Sequence, residues 1–125
     1  MKKIAVFLFE GAELFEIASF TDIFGWNNIV GLKEFRDIKV ETISYKESIK
    51  CTWGGKIKVE KVITEENIGN FFDYDILIIP GGFGKANFFE GKNNEIFKKL
   101  IKYFSESNKI IVAICSAVIN LLESG

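Results

Sequence analysis

Runs of apolar residues, bounded by charged residues or glycine, divide the chain into short segments. Lys3–Phe9, Asp75–Ile79 and Ile110–Cys115 are each almost continuously apolar over strand length. A continuous run, unlike an alternating one, is typical of a strand that is buried on both faces of a parallel sheet. The pattern therefore predicts three central strands of an α/β fold.

Helical spacing separates these strands. Residues Ala12 to about Val30 predict a long helix with Phe and Ile on more than one side, so we expect it to be covered by the sheet and by something else. Asn93–Phe104 carries one apolar stripe opposite a row of lysines and predicts an amphipathic helix. Val118, Leu121 and Leu122 fall at i, i+3 and i+4, which predicts a last helix after Cys115.

The middle of the chain has weaker patterns. Asp37–Ser44 alternates polar and apolar residues, which predicts a strand near a sheet edge. Ser48–Thr52 and Lys56–Val62 flank Trp53-Gly54-Gly55 and predict a hairpin appended to the main sheet. Glu65–Phe71 is expected to form one or two helical turns. The order of these elements predicts parallel strands with helices on both faces.

Composition narrows the class of protein. The 125 residues are 48% hydrophobic and include 13 Phe, enough for the core of one domain over residues 1–125. The net charge of −1 lacks the basic excess of a nucleic-acid binder. No segment resembles a signal peptide or a membrane span, so we expect a cytoplasmic protein that binds neither nucleic acid nor membrane.

The chain contains no histidine, which excludes a Ser-His-Asp or Cys-His-Asp site and a His-containing zinc site within it. We expect neither a metal nor a cofactor. The two cysteines are expected to be free thiols, with Cys51 a structural residue of the hairpin.

Cys115 is placed at a turn between the last strand and the last helix. The N–H groups of a first helical turn have no partner within the helix and stabilise a thiolate there. Cys115 is therefore a candidate nucleophile. The alternative is that it is one more small buried apolar residue, as free cysteines usually are.

Pro80-Gly81-Gly82 directly follows the strand Asp75–Ile79. Glycines at this point let the backbone turn sharply and present bare N–H groups at the carboxyl edge of the sheet, which is also the edge of Cys115. A phosphate loop is excluded because Ile79 and Ala86 stand where its pattern needs Gly and Ser or Thr. An oxyanion hole and a simple tight turn both remain open.

Glu16 lies within the first predicted helix, where its neighbours at helical spacing are mostly small or apolar. Burial raises a carboxyl pKa, so a buried Glu16 is able to stay protonated and donate a hydrogen bond to a thiolate. The alternative is a solvated glutamate near a helix start, a description that suits Glu13 better.

Three motifs occur in an order that resembles a known family. They are Phe9–Glu16 (FEGAELFE), Pro80-Gly81-Gly82 and Ala113–Ser116 (AICS). Together they resemble the DJ-1/PfpI (ThiJ/PfpI) superfamily, which has the class I glutamine-amidotransferase-like fold. The resemblance implies a flavodoxin-like, doubly wound, mostly parallel sheet.

The resemblance also implies roles for the candidate residues. Cys115 is implied to be the elbow cysteine in a strained backbone conformation, and Glu16 the carboxyl that hydrogen-bonds its sulfur. The backbone N–H groups of Gly82 and Ser116, with Gly81 beside them, are implied to bind an oxyanion.

Two departures from the family qualify these expectations. Members continue beyond the elbow helix, and their active branches take a histidine from that later region. We therefore expect an N-terminal portion or short form of the family fold, whose exposed apolar surface favours a homodimer or a second polypeptide. The milder departure is Ser116, which replaces a small residue or threonine.

Two hypotheses about function follow. In the first, Cys115 reacts with a small electrophile such as a reactive carbonyl, in glyoxalase-like or hydrolase-like chemistry that is weak without the usual histidine. In the second, Cys115 is a non-catalytic redox sensor in a stress-response interaction module, with an oxidant as its small-molecule partner. A peptidase or amidotransferase-like role comes third because it needs the absent base.

Overall fold

The computed structural model describes every residue from Met1 to Gly125 and has a five-stranded parallel sheet at its centre. The sheet order is β5-β2-β1-β6-β7, and β3 and β4 form a separate antiparallel hairpin. The strands are β1 (Lys2–Phe7), β2 (Ile38–Ser44), β3 (Ser48–Lys50), β4 (Lys56–Lys58), β5 (Lys61–Val62), β6 (Ile76–Ile79) and β7 (Ile110–Ala113). The α-helices are α1 (Leu14–Val30), α2 (Glu95–Glu106) and α3 (Ala117–Glu123). Short 3-10 turns occupy Lys33–Phe35, Ile68–Phe71, Gly84–Ala86 and Phe88–Asn93.

The strand order reverses between β1 and β6. The chain moves from β1 outward to β2 on one side, while β6 and β7 build the sheet on the other side of β1. Val6 of β1 is in register with Thr42 of β2 and with Ile78 of β6. The carboxyl edge of the sheet at such a reversal of strand order is where open α/β sheets bind ligands. The predicted flavodoxin-like, mostly parallel sheet is confirmed.

The core lies on both faces of the sheet because side chains of a strand alternate in direction. From β1 onward, Phe7 and Phe9 pack towards α2, and the ring centroid of Phe97 lies 5.1 Å and 4.8 Å from theirs. Val6 and Leu8 face the opposite layer, which contains Ile17 of α1 and the hairpin. Helices on both faces are thus confirmed.

Helix α2 matches its predicted apolar stripe. Its buried residues are Phe97, Leu100, Ile101 and Phe104. The helix begins two residues later than predicted because Asn94 is its N-cap, with the side-chain oxygen accepting the N–H of Phe97 at 3.0 Å. A capping residue has non-helical backbone angles, so it lies outside the helix.

The predicted hairpin was wrong in its second half. Only Lys56–Lys58 pairs with β3, whereas Lys61–Val62 leaves the hairpin and joins the main sheet parallel to β2. Glu60 makes this departure possible, because its carboxylate accepts the backbone N–H of Thr42 at 2.6 Å. As a result β5 is the sheet edge and β2 is the second strand, which agrees with its predicted place near an edge.

The expectation that the Cys115 strand is buried on both faces was also wrong. In this chain β7 is the other edge of the sheet, and the side chain of Ile110 is 57% exposed. The strand ends at Ala113, two residues before Cys115.

Helix α1 has one face against the sheet and one in solvent. Its exposed face carries Phe15, Ile23, Trp26, Ile29 and Val30. The expectation that something besides the sheet covers this helix was therefore wrong for this chain, because its outer apolar side is exposed. None of the helices is long and apolar enough to cross a membrane.

Candidate active site

The loops that follow β1 and β6 are joined by backbone hydrogen bonds at the carboxyl edge of the sheet. Ala12 and Gly82 form an isolated antiparallel bridge. The N–H of Glu13 donates to the carbonyl of Gly81 at 2.8 Å, and the N–H of Phe83 donates to the carbonyl of Gly11 at 3.2 Å. These bonds hold the start of α1 against the Pro-Gly-Gly turn. The two loops are therefore fixed relative to each other where the strand order reverses.

Cys115 lies beside this junction in a left-handed backbone conformation. Its φ is +53° and its side chain is exposed. The turn is closed on both sides, because Ile114 N–H donates to Ile79 of β6 at 3.1 Å and Ala117 N–H donates to Ile114 at 2.9 Å. A non-glycine residue with such a φ costs about 1–3 kcal/mol and persists only where its surroundings impose it. Here the β7 ladder and the start of α3 impose it.

Glu16 faces the same point from α1. Its Oε1 accepts the N–H of Gly81 at 3.3 Å. A Cβ atom built on Gly81 would lie 2.9 Å from the Cβ of Cys115 and 3.0 Å from the Oε1 of Glu16. The carboxyl of Glu16 and the Cβ of Cys115 thus both lie against Gly81. The expected hydrogen bond from Glu16 to the sulfur of Cys115 is not formed, because the carboxyl oxygen bonds to the N–H of Gly81 instead.

Burial, with the neighbouring Glu13 carboxylate, raises the pKa of Glu16 above its ordinary value despite the hydrogen bond from Gly81. Burial acts against the charged form because it removes water that would solvate the carboxylate. The carboxyl of Glu16 thus keeps its proton to a higher pH than an exposed glutamate does.

Ser116 makes two hydrogen bonds to one residue of the Pro-Gly-Gly turn. Its hydroxyl donates to the carbonyl of Gly82 at 2.6 Å and accepts the N–H of Gly82 at 3.0 Å. The backbone N–H of Ser116 itself donates no hydrogen bond. Of the expected oxyanion donors, Gly82 and Gly81 are thus occupied, by the Ser116 hydroxyl and Glu16 respectively, and only Ser116 has a free N–H.

The second cysteine has a different environment. Cys51 is 3% exposed and belongs to the core between α1 and the hairpin, as expected of a structural residue. Burial and the carboxylates of Glu10 and Glu13 raise the pKa of its thiol. Nowhere do three or more His, Cys, Asp or Glu side chains come together as a metal site.

Comparison with known proteins matches this arrangement to one family. The model of the DJ-1/PfpI family matches residues 2–125, which is nearly the whole chain. The chain belongs to the DJ-1/PfpI family. The resemblance of its three sequence motifs is thereby confirmed.

Similar proteins of this family are known from sequence and from structure. The uncharacterized protein MJ0967 of Methanocaldococcus jannaschii is 30% identical in an alignment of 113 positions that covers 78% of this chain and 52% of that protein. DJ-1beta of Drosophila melanogaster has a TM-score of 0.77 at 23% identity, covering 99% of this chain and 60% of its own. Toxoplasma gondii DJ-1, in a structure described as oxidized, has a TM-score of 0.73 at 21% identity, covering 100% of this chain and 62% of its own. The chain thus spans between half and two thirds of the length of these relatives.

The DJ-1/PfpI sequence motifs come together at one place in the fold. Cys115, Glu16 and Gly81 meet at the carboxyl edge, and Gly82 and Ser116 are hydrogen-bonded to each other beside them. The sequence suggested a role only for the backbone N–H of Ser116 and did not predict the contact made by its side chain. No local pattern shows that this hydroxyl reaches a residue 34 positions earlier in the chain.

Sequence reasoning also missed an aromatic pair near the site. The rings of Trp53 and Phe83 lie 5.7 Å apart, and Trp53 is 83% exposed. Trp53 comes from the hairpin tip and Phe83 directly follows Gly82, so the pair bridges the appendage and the site loop. Its only sequence signal was a tryptophan beside two glycines, which predicted a turn and no contact.

Proposed function

We propose that Cys115 is a nucleophilic thiol that reacts with small electrophiles such as reactive carbonyl compounds, in glyoxalase-like or hydrolase-like chemistry. The observation that carries the proposal is the exposed Cys115, held at a φ of +53° and lying, like the carboxyl of Glu16, against Gly81. Strained, exposed side chains next to a group with a shifted pKa are typical of reactive sites.

The proposed first step is addition of the thiol to a carbonyl group. The sulfur of Cys115 forms a bond to the carbonyl carbon, and the π electrons of the carbonyl move onto its oxygen. The free N–H of Ser116 stabilises this oxyanion. The proton that leaves the thiol passes through the carboxyl of Glu16 to the oxyanion, which completes a hemithioacetal. No atom is lost in this step.

The absence of histidine limits the expected rate. A positioned general base contributes about 10²–10⁴-fold to such reactions. Glu16 is the titratable side chain that lies with Cys115 against Gly81, and burial raises the pKa of its carboxyl. We therefore expect slow turnover by this chain.

Consumption of methylglyoxal by the purified chain tests the proposal. We expect slow consumption that is abolished in Cys115→Ser and strongly reduced in Glu16→Gln, with the Cys51→Ser variant as the matched control that keeps its activity. Undiminished consumption by Glu16→Gln would remove Glu16 from the mechanism. Undiminished consumption by Cys115→Ser would refute the proposal as a whole.

A redox sensor is the second candidate, favoured by the contrast between the exposed Cys115 and the buried Cys51. The Toxoplasma gondii relative is described as oxidized. In this reading the thiolate of Cys115 attacks one oxygen of hydrogen peroxide, the O–O bond breaks, and sulfenic acid and hydroxide result. A sensor of this kind would serve in a stress response. Dilute peroxide should then add oxygen to the Cys115 peptide and spare the Cys51 peptide in mass spectra, and equal oxidation of both would contradict it.

A peptidase or amidotransferase-like role remains third, because both activities call for the missing base.

We further propose that the chain forms a homodimer through the outer face of α1 and acts in the cytoplasm. Phe15, Trp26 and Ile29 are 83%, 62% and 65% exposed on that face, an apolar surface that water solvates poorly. Free thiols persist in the reducing conditions of the cytoplasm.

A further inference from the structure

A separate polar cleft of about 390 Å³ lies among the loops at the carboxyl edge of the sheet, and Cys115 does not line it. Its charged and amide side chains come from the loops after β1 and β2, from β3 and from the 3-10 turns after β6. They are Glu10, Lys46, Lys50, Lys85, Asn87 and Glu90. A cleft of this size at the reversal of strand order is large enough for a small molecule.

Gly11 brings two of the lysine-bearing segments of this cleft together. Its N–H donates to the carbonyl of Lys50 at 2.8 Å. A Cβ atom built on Gly11 would overlap the carbonyl oxygen of Ala86, the residue after Lys85, and the φ of Gly11 is +76°. Only glycine adopts this conformation without a steric cost. The backbones of Lys50 and Lys85 are therefore held on either side of one glycine.

The charges that line the cleft are unequally paired. The carboxylate of Glu10 accepts the ammonium of Lys46 at 2.6 Å and the backbone N–H of Lys50 at 2.6 Å, so Glu10 and Lys46 satisfy each other. The ammonium groups of Lys50 and Lys85 form no ion pair, and neither does the carboxylate of Glu90. Two cationic donors thus remain available in the cleft.

We propose that this cleft binds the carboxylate of a small organic acid between Lys50 and Lys85. Three lysines and two glutamates give its lining a net charge of +1, which complements one monovalent anion. Each ammonium group is able to donate charge-assisted hydrogen bonds to a carboxylate oxygen. Such binding lies beyond the proposed function, since it does not involve Cys115.

Titration of the ¹⁵N-labelled chain with lactate and with lactamide, followed by NMR at constant ionic strength, tests the proposal. The two probes share a carbon skeleton, but lactate carries a carboxylate and lactamide a neutral amide. Neither probe is an electrophile that alkylates thiols. We expect lactate, and not lactamide, to shift the backbone amide signals of Lys50, Lys85 and Asn87. The absence of shifts with lactate, or equal shifts with both probes, would overturn the proposal.

Variants distinguish this cleft from the general attraction of anions to surface lysines. Lys50→Met and Lys85→Met, which keep an unbranched side chain without its charge, should each weaken lactate binding by about fivefold. Glu90→Gln should strengthen it, because a like charge leaves the lining, and weaker binding would contradict this placement of the anion. Lys33→Met is the matched control, since Lys33 is exposed and unpaired but lies outside the cleft. The proposal fails if neither cleft variant weakens binding, or if Lys33→Met weakens it equally.

Discussion

Substitution of Gly81 by alanine perturbs the contact between the two sides of the candidate site. The added Cβ would lie 2.8 Å from the carbonyl oxygen of Ile114 and 2.9 Å from the Cβ of Cys115. Neither atom belongs to the far end of a flexible side chain, so the backbone of one loop has to move. The φ of Gly81 lies outside the left-handed region, so the substitution tests this contact rather than backbone strain.

The loss of stability in Gly81→Ala depends on the contacts that the shifted loop disturbs. Overpacking by one methyl group typically destabilises a protein by about 1–3 kcal/mol. The shift also strains the hydrogen bonds that Gly81 makes to Glu13 and Glu16, at 2.8 Å and 3.3 Å. We therefore expect Gly81→Ala to lower the free energy of unfolding by about 2 kcal/mol. Cys115 should also alkylate more slowly, because the added Cβ displaces the backbone beside it.

Urea denaturation and iodoacetamide labelling measure the two effects, and two other glycines provide controls. No atom lies within 4 Å of a Cβ built on Gly25 or Gly69. Gly25→Ala, within α1, should stabilise the protein by about 0.5–1 kcal/mol, because alanine loses less backbone entropy in a helix. Gly69→Ala should be close to neutral. If Gly81→Ala behaves like Gly69→Ala in stability and in labelling, the close approach of the two loops is refuted.

Three further outcomes are expected. The raised pKa of Glu16 means that its contribution to stability is complete below the ordinary value of 4.5 and is lost as pH rises through the folded-state pKa. Glu16→Gln should therefore gain stability relative to the unaltered chain at neutral pH and not in acid, and a uniform offset in urea titrations across pH would count against this. The pKa of Glu41 shifts in the opposite direction. Burial raises it, but hydrogen bonds from Tyr74, Lys61 and Lys39 outweigh burial and lower it. The stabilisation by the Glu41 carboxylate is present above pH 4.5, its ordinary pKa, and is lost in acid. Glu41→Gln should therefore lower the free energy of unfolding at pH 7 and make that energy fall less steeply with acid. For the proposed homodimer, Trp26→Glu should shift the mass measured by light scattering from dimer to monomer, and a monomer before substitution would contradict the proposal.

The central sheet and the meeting of the motifs followed from sequence because they depend on local signals. Continuous apolar runs identified β1 and β6, and glycines placed directly after a strand identified the turn at Gly81. In a parallel sheet every strand carboxyl end lies at one edge, so Cys115 and Gly81 were expected there together. These inferences needed only periodicity and topology.

The sequence predictions were wrong where contacts between residues far apart in the chain determine the structure. Lys61–Val62 was assigned to the hairpin because the sequence shows strand propensity but not its partner, and the bond from Thr42 to Glu60 redirects it. The burial of Ile110 was overestimated because an apolar run does not show whether a further strand lies beyond it. The hydroxyl of Ser116 bonds to Gly82, which lies 34 residues earlier in the chain, and no local pattern predicts such a contact.

The most direct test of the account compares both cysteines in one labelling experiment. The native chain is treated with iodoacetamide, and the rates at Cys115 and Cys51 are read from their peptides and divided by the rates in the urea-unfolded chain. The account expects a ratio above one at Cys115, which is exposed beside Glu16, and far below one at the buried Cys51. A ratio at or below one for Cys115 would contradict the claim that this fold builds a reactive thiol.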